Sequence, residues 1–482
     1  MASTLSKVVL PLFMFICCAH CSINFYPRIP DSIPIHRRSD NKHLILTDYI
    51  EAGQAAKAKN LSQVILPGLN ITSYSGYFRV NATVDRTLNA SLFFWFFPAE
   101  VNASLAPLLV WLNGGPGAPS MEGLFLEHGP LVLSETNGFV QIQKRTTHWT
   151  FNHNVIYIDN PVGAGFSYAQ HPDLYARNEV QVGENLYIAL TQFYKVFPEF
   201  AKNDFYLAGE SYGGKYVADF ALTIHVNNVD AKIEIPLKGI TIGNGLCDPA
   251  NMLVYSNYLN QVGLVDDHGK NLLEQKEKEA AKLVEENKWS EAVDVFYSIV
   301  NGGLNDIGSI KNVTGFSKLF NYLVPELDAS RYFRMYELFR NDSLRKSIHV
   351  GDVSFAFANK VGKFLKEDIM KSVKSSIETL VNATEKNSNK KKYKVMFYNG
   401  QLDIIVGHPT TVNFLKKLEW TGKQEYSKAR RSIWYYKKEI AGYVRKVENL
   451  YEVLVRNAGH LVPIDQPEWA FDLITRFTSG EL

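Results

Sequence analysis

The chain has 482 residues, is 46% hydrophobic and carries a formal net charge of +2. That apolar share is ample for a large core, and the near-neutral charge argues against nucleic acid as a partner. Cysteine occurs at only four positions, so a cysteine-and-histidine metal site is excluded by count.

Lys7, then the apolar run Val8 to Ile16, then small residues read as a cleaved signal peptide over 1–21, too short to span a bilayer. Cleavage is expected after Ala19 or after Cys21, and in the second case Cys17, Cys18 and Cys21 all leave with it. A mature chain starting near Ser22 keeps Cys247 alone and forms no internal disulfide, so its stability must come from core size. Cys247 reads as a plain buried cysteine. Eight Asn-x-Ser/Thr sequons, at Asn60, Asn70, Asn81, Asn89, Asn102, Asn312, Asn341 and Asn382, fit a secretory route to a secreted or lysosomal location. No later run is apolar and long enough for a membrane anchor.

Two edge strands are expected after about residue 72. Further strands are expected near 107–112, 154–159, 204–208, 237–242, 393–398 and 450–456, with helical patterns between them. The run Asn271 to Val300 reads as a charged helix with Leu272, Leu283, Val284, Trp289, Val293, Phe296 and Val300 as its buried stripe. Residues 251–340 are expected as a helical cap inserted between a first core segment, 22–250, and a second, 341–482. The polar segment Asn382 to Lys392 is expected as a flexible loop.

The most informative motif is Gly209-Glu210-Ser211-Tyr212-Gly213, between the apolar run ending at Ala208 and the helical pattern after Lys215. Strand, sharp Gly-flanked turn and helix make the context of a nucleophile elbow, which exposes a serine hydroxyl at the top of a sheet. Serine needs a base, and the base needs an orienting carboxylate. His460 follows the run Leu450 to Arg456, and Asp403 follows the run Val395 to Tyr398. Both lie just past strand ends, and the order Ser211, Asp403, His460 fits this scaffold. For the oxyanion, one donor is the N–H of Tyr212. The other is expected from the Gly-rich loop Asn113-Gly114-Gly115-Pro116-Gly117, at Gly115.

Four blocks then carry a resemblance: Trp111 to Gly117, Gly209 to Tyr216, Asn399-Gly400 with Asp403, and Gly459-His460 with Val462-Pro463. In order and spacing they resemble the signature blocks of serine carboxypeptidases. Glu127-His128-Gly129-Pro130 and Tyr398 to Val406 are most similar to the vitellogenic-like branch. The resemblance implies an α/β-hydrolase fold: a central mixed, mostly parallel sheet flanked by helices, with a helical cap. It implies release of C-terminal amino acids from peptides with a free C-terminus, at acidic pH, through an acyl-enzyme and without cofactor or metal.

It also implies that Asn113 and the N–H of Gly114 bind the substrate's terminal carboxylate, with Glu127 and Glu210 facing it. Crowded carboxyl groups share a proton at acidic pH and can then donate to the substrate. The chain departs from the family at Ala118-Pro119-Ser120, where Pro119 removes an N–H and fixes φ, so a shift of this loop is expected. An acyltransferase or esterase on the same scaffold, or a non-catalytic yolk-type binding protein, are the alternatives. The carboxylate-binding set argues against the first, and the intact Ser211, Asp403 and His460 against the second.

Overall fold

The computed structural model describes residues 42–482, apart from 85–86, 137, 232–233, 304, 325–328, 357–358 and 387. The expected leader lies outside the described residues.

In chain order the strands are β1 (Gln63–Val64), β2 (Ser73–Ala82), β3 (Asn89–Phe97), β4 (Leu108–Leu112), β5 (Leu131–Thr136), β6 (Phe139–Lys144) and β7 (Asn154–Ile158). They continue with β8 (Tyr168–Ala169), β9 (Phe205–Glu210), β10 (Leu237–Gly243) and β11 (Lys394–Gly400). Last come β12 (Ser432–Tyr436), β13 (Glu439–Val447) and β14 (Leu450–Val455). A 12-stranded sheet runs β1-β2-β3-β7-β4-β9-β10-β11-β14-β13-β12, with β8 beside β3. The six strands β7-β4-β9-β10-β11-β14 are parallel, and both flanks are antiparallel.

This is an α/β-hydrolase fold with a mixed, mostly parallel sheet. Its central strands read as unbroken apolar runs because both faces are covered. In β4, Leu108, Val110 and Leu112 join one buried cluster, while Leu109 and Trp111 join the other. The first cluster is closed by helices α1 (Glu179–Val196) and α2 (Gly213–Asn227) through Leu186, Phe193, Val217 and Ala221. The second is closed by the C-terminal helix Pro467–Ser479 through Trp469, Leu473 and Phe477.

Strand order reverses at β4. From it the chain moves to β7 on one side and then to β9 on the other. Crevices at such switch points, beyond the carboxyl ends of the strands, are where open α/β sheets bind ligands. Asn113 leaves β4 and Ser211 leaves β9 there.

Several local expectations need correction. Only β2 and the short β1 border the sheet at that end; β3 is interior, paired with both β2 and β7. The run Asn271 to Val300 is two helices, α3 (Asp267–Glu285) and α4 (Trp289–Asn301), broken where Asn287 takes φ 58°. The buried face of α3 is Leu273, Glu277 and Ala280, while Leu272, Leu283, Val284 and Trp289 are half-buried. The break rotates the stripe by changing the helix axis, which a single-helix periodicity cannot register. Within Asn382 to Lys392, Thr384 pairs with Lys391 across a turn, and Lys392 N donates to Ala383 O at 2.9 Å. The hairpin β5–β6 and strands β12 and β13 were not expected; their apolar runs, such as Leu131 to Leu133 and Ile433 to Tyr436, are short.

Candidate active site

Ser211 follows the last residue of β9 and has φ 57°, a left-handed conformation that costs a β-carbon residue free energy. Backbone contacts hold it there. Its N–H donates to Gly243 O at 2.9 Å, and its carbonyl accepts from Gly214 and Leu246, both at 3.0 Å. The turn is also tight against the β4 loop. A Cβ on Gly213 would stand 2.5 Å from Leu112 O, and one on Gly114 2.5 Å from Tyr212 N. Only glycine lets the two loops approach so closely.

His460 Nδ1 lies 2.8 Å from Asp403 Oδ2. With the carboxylate as acceptor, the proton sits on Nδ1 and Nε2 is the basic nitrogen. Asp403 is fully buried, and both of its carboxylate oxygens accept hydrogen bonds. Oδ2 also accepts from Asn244 Nδ2 at 2.6 Å and from Val406 N at 3.2 Å, and Oδ1 accepts from Ile405 N at 2.8 Å. Phe320 stacks on the imidazole, centroids 4.9 Å apart, and its carbonyl accepts His460 N–H at 2.6 Å. Tyr258 Oη donates to Asp403 O at 2.7 Å.

Ser211, His460, Gly115 and Tyr212 line one cavity, with Phe296 and Tyr297 of α4 in its wall.

Beside it lies a buried carboxyl pair. Asn113 Nδ2 donates to Glu127 Oε1 and to Glu210 Oε1, each at 2.9 Å. The amide is fixed in that sense because its Oδ1 accepts from Trp111 Nε1 at 2.7 Å and from Gly123 N at 3.0 Å. Burial pushes the Glu210 carboxyl well above the usual carboxylate range, and the neighbouring Glu127 reinforces this. Burial also raises Glu127, opposed by hydrogen bonds from Asn113 and Glu210 and by the fields of His460 and Arg145. Two carboxyls so placed titrate as a unit and keep a shared proton to higher pH than an isolated glutamate. A third buried acid, Glu122, has Oε1 without a partner among the described residues; burial, then Glu127 and Asp159, raises it well above its ordinary value.

Two hydrogen bonds hold the loop that carries Pro119. Pro119 O accepts from Glu122 N at 3.0 Å, and Ser120 Oγ accepts from Asn113 N at 3.2 Å, so Asn113 stays tied to it. Cys247 is buried and free, its thiol pushed up by burial. Among the sequons, Asn60, Asn70, Asn81, Asn102 and Asn341 are exposed and Asn89, Asn312 and Asn382 half-buried.

Sequence reasoning missed Asn244, Phe320 and Lys215. Asn244 had a signal, since it ends the strand run 237–243 between two glycines. Phe320 had none. Lys215, one turn past the elbow, is buried and ion-paired with Asp368 at 2.9 Å, next to Ile369 of the cavity wall.

Residues 65–480 match the family described as serine carboxypeptidase. The chain is 44% identical to the venom serine carboxypeptidase of Apis mellifera over 478 residues, covering 98% of this chain and 99% of that protein. The chain belongs to the serine carboxypeptidase family. It is also 40% identical to the vitellogenic carboxypeptidase of Aedes aegypti, covering 90% of this chain and 89% of that one. The crystal structure of a prohormone-processing carboxypeptidase from Saccharomyces cerevisiae superposes with a TM-score of 0.71 at 23% identity, covering 88% of this chain and 96% of that one, which speaks to the fold. This serine carboxypeptidase is therefore a peptide hydrolase. Among the described residues no helix is long and apolar enough to cross a membrane.

Proposed function

We propose that this carboxypeptidase removes C-terminal residues at acidic pH with Ser211 as nucleophile, His460 as base and Asp403 as the group that fixes the imidazole. Ser211 Oγ attacks the last peptide carbonyl while His460 Nε2 takes its proton. The N–H groups of Gly115 and Tyr212 hold the oxyanion. His460 then protonates the departing amine, and water hydrolyses the acyl-enzyme by the same route.

The terminal carboxylate is held by Asn113 and the N–H of Gly114, with Glu127 and Glu210 contributing the shared proton. Residues 251–340 act as a cap over the acyl side. The sequons and the leader support a secreted or lysosomal location.

The observation that carries this reading is the buried Glu127–Asn113–Glu210 set beside Ser211. A carboxyl pair is useful for a substrate that brings its own carboxylate and of no use for a neutral ester. The pH dependence of a blocked dipeptide with a free C-terminus, set against its C-terminal ester, tests it. Peptide KM rises from acidic to neutral pH as the shared proton leaves. The ester needs only neutral His460 and is cleaved better as pH rises. Coincident profiles would give the site to an esterase.

A further inference from the structure

Glu127 is the last residue of a wide helical turn, Gly123–Glu127. His128 N and Gly129 N close the turn on one acceptor, Gly123 O, at 3.0 and 3.1 Å. The last carbonyls of a helical turn find no partner within it, and here a single side chain supplies them. Arg145 Nη2 donates to Phe125 O at 2.6 Å and to Leu131 O at 3.2 Å, and Nε donates to Gly129 O at 2.9 Å. The guanidinium thus holds the carbonyls two residues before and two residues after Glu127. Its own backbone is fixed as well, since Arg145 N donates to Pro130 O at 2.8 Å and continues the pairing of β5 with β6 past Lys144. The hairpin therefore serves to deliver one cation to the base of the carboxyl pair.

The charged and titratable groups on both sides of this contact are known. Around Glu127 stand the carboxyls of Glu210 and Glu122, the His460 imidazole and the hydroxyls of Tyr332 and Tyr398. Around Arg145 stand Glu127, the Tyr157 hydroxyl and Arg331, with His128 and His148 within its field. Burial and crowding favour the protonated form of the pair, whereas Arg145 and a protonated His460 favour the Glu127 carboxylate. Of these two cations Arg145 is the constant one, because a guanidinium stays charged across the working pH range.

Resting on the carboxypeptidase reading, we propose that Arg145 is a positioning residue of the terminal-carboxylate site, which clamps the chain on both sides of Glu127 and sets the pH at which the Glu127–Glu210 pair gives up its shared proton. A fixed positive charge makes that proton leave earlier, so Arg145 confines peptide binding to the acidic side.

The test follows KM of a blocked dipeptide with a free C-terminus, and of its C-terminal ester, from pH 4 to 8. Arg145→Gln keeps an amide donor for the carbonyls and deletes the charge. The midpoint of its peptide KM rise should move up by about one pH unit, with the ester profile in place. Arg145→Lys keeps the charge and loses the fork, so its KM should be higher at every pH with the midpoint where the wild type has it. A merely structural Arg145 would raise KM evenly in both variants. An unmoved midpoint in Arg145→Gln, or a moved one in Arg145→Lys, overturns the proposal. If Arg145→Gln does not fold, as loss of ester cleavage would reveal, the midpoint of Arg145→Lys alone decides in the same sense. Either failure leaves the carboxypeptidase reading intact, provided the wild-type peptide and ester profiles differ. If those two coincide, that reading falls and this proposal with it.

Discussion

Asn244 Nδ2 and Asp403 Oδ2 are 2.6 Å apart, on the same carboxylate oxygen that faces His460 Nδ1. The amide thus polarises and steers the oxygen that orients the imidazole. Asn244 also occupies φ 43°, a region open to asparagine and glycine. Its Oδ1 accepts from Gly400 N at 3.2 Å, tying the end of β10 to the end of β11.

Asn244→Gly keeps the backbone conformation and deletes the donor. A hydrogen bond to a charged group contributes about 1.5–3 kcal/mol. We expect kcat to fall about 10- to 100-fold with peptide KM little changed, because the loss concerns His460 and not the carboxylate site. Steady-state kinetics check this; an equal loss in KM would place Asn244 with binding instead.

The strain at Ser211 makes a paired prediction. Ser211→Ala and Ser211→Gly both remove the hydroxyl, and kcat should fall by about 10⁶ in each, because the three groups act as a unit. Glycine accepts φ 57° without the Cβ clash that alanine keeps, by about 1 kcal/mol. The glycine variant should therefore melt at the higher temperature of the two, measured by calorimetry. Near-normal peptidase activity in either variant would remove Ser211 from the mechanism.

Glu210→Gln supplies a permanent donor at the carboxyl pair. Peptide KM should become nearly flat between acidic and neutral pH, with little effect on the blocked ester. Stability carries a sign that can be worked out. A carboxyl whose pKa is raised on folding binds more protons in the native state above its ordinary value, so stability is lost as pH rises from about 4.5 towards the folded pKa. Glutamine does not titrate, and the melting-temperature gain of the variant over wild type should grow with pH. A gain that shrinks towards neutrality contradicts the assignment.

Glu122 tests the same linkage outside the binding pair. Its buried Oε1, unpartnered among the described residues, and its raised pKa mean that folding favours the neutral form. Glu122→Met keeps the volume and removes the polar group. Stability should rise by about 1 kcal/mol or more at pH 7 and by less at pH 4.5, where the carboxyl is neutral in the folded state and already about half protonated in the unfolded one. Denaturant melts at the two pH values measure this. A destabilised variant at both would give Glu122 a hydrogen-bonding role within the carboxyl cluster.

The central strands were legible in the chain because burial on both faces leaves runs such as Leu108 to Leu112 and Val395 to Tyr398 with no polar interruption. The elbow was legible for a local reason. Ser211 needs small neighbours, and the glycines at 209 and 213 are the direct trace of a backbone that approaches Leu112 within van der Waals range. Strands β12 and β13 and the hairpin β5–β6 escaped notice because one exposed face mixes polar residues into short segments.

Other features existed only once the chain had folded. The sequence places Asn113, Glu127 and Glu210 at separations of 14 and 97 residues. By itself it names them only through resemblance to a family. Their meeting depends on β4 and β9 being neighbours at the point where strand order reverses. The proton they share is likewise a product of burial, since the same side chains in water would ionise independently. Phe320 illustrates the limit most plainly. Nothing in its local sequence marks it, yet its ring lies on His460 and lines the cavity at Ser211. That role arises from the packing of 316–322 against the loops after β11 and β14, a long-range contact that no local pattern encodes.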